Sequence, residues 1–163
     1  YEYYEGDEVV GIDAEVGKAI ADKLGMEFKI SDIDFDSIIP AITTGKADMS
    51  LAGMTVTDER KENVDFSDSY ATGVQVIIVP EDSDITGPDD LANDKMIGVQ
   101  QGTTGQYYVE GSEDWDFPGL PAKCVTYKSG SLAVQDMLNG NIQYVIIDAA
   151  PAAAITDAIN AVQ

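Results

Sequence analysis

Apolar and polar residues alternate in two rhythms along this chain, and the switches between them mark its elements. From Asp13, an N-cap by residue type, apolar side chains recur at Val16, Ala19, Ile20 and Leu24, and Gly25 closes the segment. That spacing predicts an amphipathic helix with a glycine C-cap. Residues 1–11, aromatic, then acidic, then apolar, read as a strand end and a turn. Met26, Phe28 and Ile30 alternate with polar neighbours, as a half-buried strand does. A second helix is predicted from Asp36 or Ser37 through Thr44, ended by Gly45 with Pro40 near its first turn, and a short strand over 47–52. The β-branched run 72–79, closed by Pro80, is apolar on both faces and reads as a central strand.

Beyond it, 81–94 is an acidic loop with Pro88 and one helical turn, and composition shifts most here. A strand over 95–100 runs into Gly102-Thr103-Thr104-Gly105, which turns the chain into a helix over 106–110. A glycine-bounded strand-to-helix turn exposes backbone N–H groups, so this one is a candidate anion seat. After a loop holding Trp115, a strand over 122–127 and a helix from a Ser131 cap through Leu138 lead to Tyr144-Val145-Ile146-Ile147-Asp148. An aspartate at the carboxyl end of a buried strand lies where open α/β sheets bind ligands, or it caps the helix that follows. Strands alternating with helices place the chain in the α/β class.

Charge narrows the partners. Nine basic against 30 acidic residues give a net charge of -21, which repels phosphate backbones and anionic lipid. Nucleic acid and membrane surfaces are therefore poor partners, and the excess acid is read first as a solvated surface. No histidine is present and Cys124 is the one cysteine, which removes disulfides within the chain, most nucleophilic triads and the commonest metal ligand. No metal or cofactor is expected.

One cation differs from the rest. Arg60 is the single arginine, set in Gly53-Met54-Thr55-Val56-Thr57-Asp58-Glu59-Arg60 ahead of Asp65-Phe66-Ser67-Asp68-Ser69-Tyr70. Its planar fork grips a carboxylate through two parallel hydrogen bonds, as a lysine cannot. Thr57 as N-cap, with Asp58 and Glu59 in the first turn, would fix Arg60 at a helix start. The plainer reading is a surface ion pair of little energetic weight.

Together these residues resemble a known family. Gly11-Ile12-Asp13, the stretch 35–40 from Phe35, Gly45-Lys46-Ala47-Asp48, the Arg60 stretch, the loop to Tyr70, 98–105 and 144–148 occur in the order and spacing of the polar amino-acid-binding proteins of ABC transporters. The resemblance covers Tyr1 to about residue 154. It implies a two-lobed, type II periplasmic-binding fold that captures a free amino acid outside the cytoplasm for an ABC permease, without catalysis. Lobe one would take 1–75, lobe two 76–148, and 149–163 a crossover or a C-terminal helix returning to lobe one. By the same resemblance Arg60 clamps the α-carboxylate with Thr55 and the Thr103-Thr104 turn. Asp148 and the Gly53 carbonyl hold the α-ammonium, Tyr1 and Phe35 sandwich the ligand, and Gln100 senses its side chain. Charge-assisted hydrogen bonds contribute about 1.5 to 3 kcal/mol each, so two sets fall short of the roughly 8 kcal/mol of micromolar affinity. Closure of both lobes would supply the rest.

The departures set further expectations. The chain starts at the aromatic motif, so a first strand and any leader are absent from it, and its final residues look like a late lobe-one helix, which leaves lobe one incomplete. A truncated or strand-swapped dimeric variant without binding is one alternative, and a dehydratase-type enzyme on the same scaffold another. Gln100, where a charged group could stand, and the acidic surface favour a neutral or cationic amino acid.

Overall fold

The computed structural model describes residues 1–161. Four strands form the main sheet in the order β3-β6-β4-β5: β3 (Gln75–Ile78), β4 (Met96–Gln100), β5 (Lys123–Tyr127) and β6 (Tyr144–Asp148). β4 lies parallel to both β5 and β6, while β3 runs antiparallel to β6. The α/β class read from the sequence holds, but the 72–79 run is an edge strand rather than a central one. Its two apolar faces have another cause: Val76 packs with one hydrophobic cluster and Ile77 with the other.

Those clusters lie on opposite faces of the sheet, and β6 feeds both by strict alternation. Val145 and Ile147 join Ala133, Val134 and Met137 of α5 (Gly130–Leu138) and Ala152 of α6 (Ala149–Asn160). Tyr144 and Ile146 join Ile97, Val99 and Val109, the last from α4 (Thr104–Glu110). Cys124 packs beside this second cluster, where burial, then Glu110, pushes its thiol up to about 12. It stays protonated at neutral pH.

Two helices differ from expectation. Ser129, not Ser131, starts α5: its hydroxyl accepts from the Leu132 N–H at 3.3 Å. α6, expected to cross over or return to lobe one, lies on the main sheet, with Ile155 and Ile159 packed against the first cluster. Its apolar spacing fits that face, and Val162 and Gln163 of the same expected helix fall outside the described residues.

The first half is built differently. A hairpin of β1 (Tyr3–Glu5) and β2 (Glu8–Val10) precedes α1 (Ile12–Leu24), which ends on Gly25 in the left-handed conformation, as read. Expected strands over 26–30 and 47–52 are not strands. Phe28 and Leu51 pack against α1 at Gly17, so their side chains find a surface, but no described strand lies beside them to share a ladder. Alternation makes a chain extended; a sheet needs a partner. α1 accordingly buries Asp13, Gly17 and Ala21, while Val16, Ile20 and Leu24, the face expected inward, remain exposed. Short helices α2 (Ile38–Thr43) and α3 (Asp58–Lys61) complete this half. No helix among the described residues is long and apolar enough to cross a membrane.

The sheet, not α1, therefore carries the folding energy. Ile97→Ala, at a position with no exposed surface, should lower stability by about 2 to 5 kcal/mol, read as a fall in the urea midpoint. Leu24→Ala, on the exposed face, should stay within about 0.5 kcal/mol.

Candidate functional site

Strand direction gathers the chemistry at one end of the sheet. The carboxyl ends of β4 and β6 meet there, and because β3 is antiparallel its first residue, Gln75, arrives at the same end, directly opposite Asp148. Asp148 starts α6 but makes no side-chain cap; its Oδ1 accepts from Gln75 Nε2 at 2.6 Å. Gly73 leaves room for that carboxylate, since a Cβ there would stand 3.2 Å from Oδ1. Burial raises the Asp148 pKa, and the charge of the Tyr1 amino group and then the Gln75 hydrogen bond work against the rise.

Arg60 is placed as its local sequence dictates. Thr57, in extended backbone, caps α3 by accepting from the Arg60 N–H at 3.2 Å, so the side chain leaves a fixed first turn. It is no surface ion pair: the residue is 4 % exposed, and no carboxylate among the described residues is its salt-bridge partner. Nη1 donates to the Thr55 carbonyl and Nη2 to the Gly102 carbonyl, both at 2.7 Å. The guanidinium lies over two rings, 5.8 Å from the Phe35 centroid and 5.4 Å from that of Tyr107. A buried cation held by neutral dipoles and π faces is stabilised without being neutralised.

The turn after β4 is less open than its glycines suggested. Gln106 Oε1 accepts from the Gly102 N–H at 2.8 Å, and the Thr103 N–H donates to the Gln100 carbonyl. Two donors of the expected anion seat are thus already used. Thr103 Oγ1 donates to the same carbonyl, and Gln100 Nε2 reaches the Lys128 carbonyl at 3.4 Å.

A cavity of about 1050 Å³ opens between this end of the sheet and the first half of the chain. Of the residues singled out in the sequence, Tyr1, Gly53, Thr55, Thr104 and Asp148 line it; Phe35, Arg60, Gln100 and Thr103 stand outside the lining, around the Gly102 turn. Gly53 needs its positive φ of 56° and its lack of a Cβ, which would meet the Tyr1 ring at 2.7 Å. The lining carries Asp48, Asp65, Asp68 and Asp148 and neither lysine nor arginine.

Several positions at or near the cavity escaped sequence reasoning. Tyr70 lines the cavity, accepts from the Gly53 N–H at 3.3 Å and meets Tyr1 edge to face. It stood in a quoted motif without a task. Asp13, read as an N-cap, is 3 % exposed and neither of its carboxylate oxygens has a hydrogen-bond partner among the described residues; Gly11 occupies the cap position instead. Tyr107 and Gln75 gave no local signal, because their partners, Arg60 and Asp148, are distant in sequence.

Comparison with known proteins shows the family and the fold. Residues 1–158 match the family described as bacterial extracellular solute-binding proteins, family 3. The arginine-binding extracellular protein ArtP of Bacillus subtilis is 47% identical over 103 residues, covering 63% of this chain and 40% of the relative. The ABC transporter arginine-binding protein 1 of Escherichia coli is 33% identical over 144 residues, covering 88% and 56%. A structure of holo ArgBP from T. maritima superposes with a TM-score of 0.86 at 36% identity, over 98% of this chain and 68% of that one. The chain spans about half the length of the curated relatives it matches. Its fold is the two-lobed, type II periplasmic-binding architecture of these proteins.

The cap that aims Arg60 is testable alone. Thr57→Ala should destabilise the chain by about 1 kcal/mol and Thr57→Ser by much less, measured by urea unfolding.

Proposed function

This chain belongs to the bacterial extracellular solute-binding proteins of family 3, and from that membership we propose that it captures a cationic amino acid, arginine foremost, for an ABC importer. The supporting observation is the cavity wall: four aspartates and no basic side chain, with Asp148 held at its sheet end by Gln75. A wall of that sign favours a guanidinium or ammonium and penalises an acidic side chain. Both curated relatives named above are arginine-binding by name, which points the same way.

In this reading Asp148 receives the α-ammonium and Tyr1 walls the ligand body. Arg60 takes the α-carboxylate by exchanging a carbonyl. The ionic bond to a carboxylate is about twice as strong as one to a neutral acceptor, so a ligand oxygen can replace the Gly102 carbonyl at Nη2. The segments 1–75 and 76–148 act as the two lobes, and Gly102 and Arg60 meet across them. The ligand is bound and released unchanged, outside the cytoplasm.

Thermal unfolding against amino acids tests the proposal. Arginine at about a hundred times its Kd should add about 2.7 kcal/mol, glutamate should add nothing, and Asp148→Asn should abolish the arginine shift. No shift with any amino acid would overturn the reading.

Acid should weaken binding in a defined direction. The raised pKa of Asp148 means that the ligand-free fold takes up a proton there sooner than an exposed aspartate does as pH falls. A bound ammonium favours the ionised form, so binding releases that proton. Titration calorimetry should show affinity falling about tenfold per pH unit below the ligand-free pKa of Asp148 and levelling above it.

A further inference from the structure

Gln75 joins Asp148 to Thr104, yet the reading above gives it no ligand contact. Its register opposite Asp148 makes the two side chains cross-strand neighbours. Nε2 donates to Asp148 Oδ1 at 2.6 Å and to Thr104 Oγ1 at 3.1 Å, which uses both amide hydrogens. Oε1 is buried without a donor among the described residues. The reversed amide would turn Oε1 onto the carboxylate, acceptor against acceptor, so an ionised Asp148 selects the observed orientation and the orphaned oxygen is its consequence. Space is kept for this at Gly105, where a Cβ would stand 3.1 Å from Gln75 Oε1 and 3.1 Å from the Ile146 carbonyl.

Resting on the receptor reading, we propose that Gln75 is the positioning residue of the ammonium subsite: it holds Asp148 by one oxygen, leaves Oδ2 for the ligand, and ties the carboxylate to Thr104 in the first turn of α4. A side chain that merely filled space would do neither. Loss of the amide removes a donor that favours the ionised carboxylate, so the titration of Asp148 moves as well as the affinity.

Two measurements test this. The Asp148 carboxyl is titrated by carbon-13 NMR in the ligand-free chain, with Asp148→Asn assigning the signal, for wild type, Gln75→Leu and Gln75→Glu. Calorimetry then follows L-arginine and desamino-arginine, which lacks the α-amine. In Gln75→Leu the midpoint should rise by about one pH unit and L-arginine should bind about tenfold more weakly, with desamino-arginine unchanged. Gln75→Glu keeps the length and polarity of the residue, and its added charge should raise the midpoint further. A midpoint that stays put in both variants overturns the proposal, as does an equal loss for both ligands. If the midpoint moves but wild type binds no amino acid, the receptor reading falls and the hold of Gln75 on Asp148 stands.

Discussion

A buried positive charge without a counter-ion is the constraint around which this molecule is arranged. Arg60 could be neutralised by any of the chain's 30 acidic residues, yet its partners are two carbonyls and two aromatic rings. A carboxylate there would satisfy the guanidinium permanently. Carbonyl dipoles and π faces keep it in place while leaving its charge available. The cost falls on the surroundings: Thr57 must cap α3, Gly102 must turn its carbonyl inward, and Phe35 and Tyr107 must come from different halves to enclose it. Those three demands tie the start of α3 to the Gly102 turn.

The opposite sign is handled at the other pole by a different device. Asp148 reaches the cavity because β6 ends there, and its ionised form is favoured by the charge of the Tyr1 amino group and then by the Gln75 amide, against the burial that raises its pKa. Both side chains are nonetheless hydrogen-bonded by neutral groups, Arg60 by two backbone carbonyls and Asp148 by a side-chain amide.

Much of this was legible before the coordinates. The Thr57 cap, the left-handed Gly25, the Trp115 loop and a buried strand ending at Asp148 all follow from residue type and spacing within a few positions. What failed was pairing. The segments 26–30 and 47–52 carry strand-like patterns but no described strand partner, and the 72–79 run looked central because alternation reports burial on two faces, not neighbours on two edges. Ser131 and Ser129 are equivalent by residue type; only the Leu132 N–H distinguishes them. At the site, Tyr107 and Gln75 stayed hidden for the same reason, since the positions they serve lie 47 and 73 residues away in sequence. No pattern in one chain announces such a meeting.

The place of β6 in the sheet governs the order in which the molecule can be made. It is the last of the described strands, yet it lies between β3 and β4 and supplies alternate residues to both hydrophobic clusters. Until Asp148 has emerged from the ribosome, β3 has no partner and neither cluster can close. Non-local closure of this kind is slow. A sheet whose β6 comes after both of its neighbours in sequence therefore leaves both hydrophobic clusters open, and their apolar residues exposed, until that strand is made.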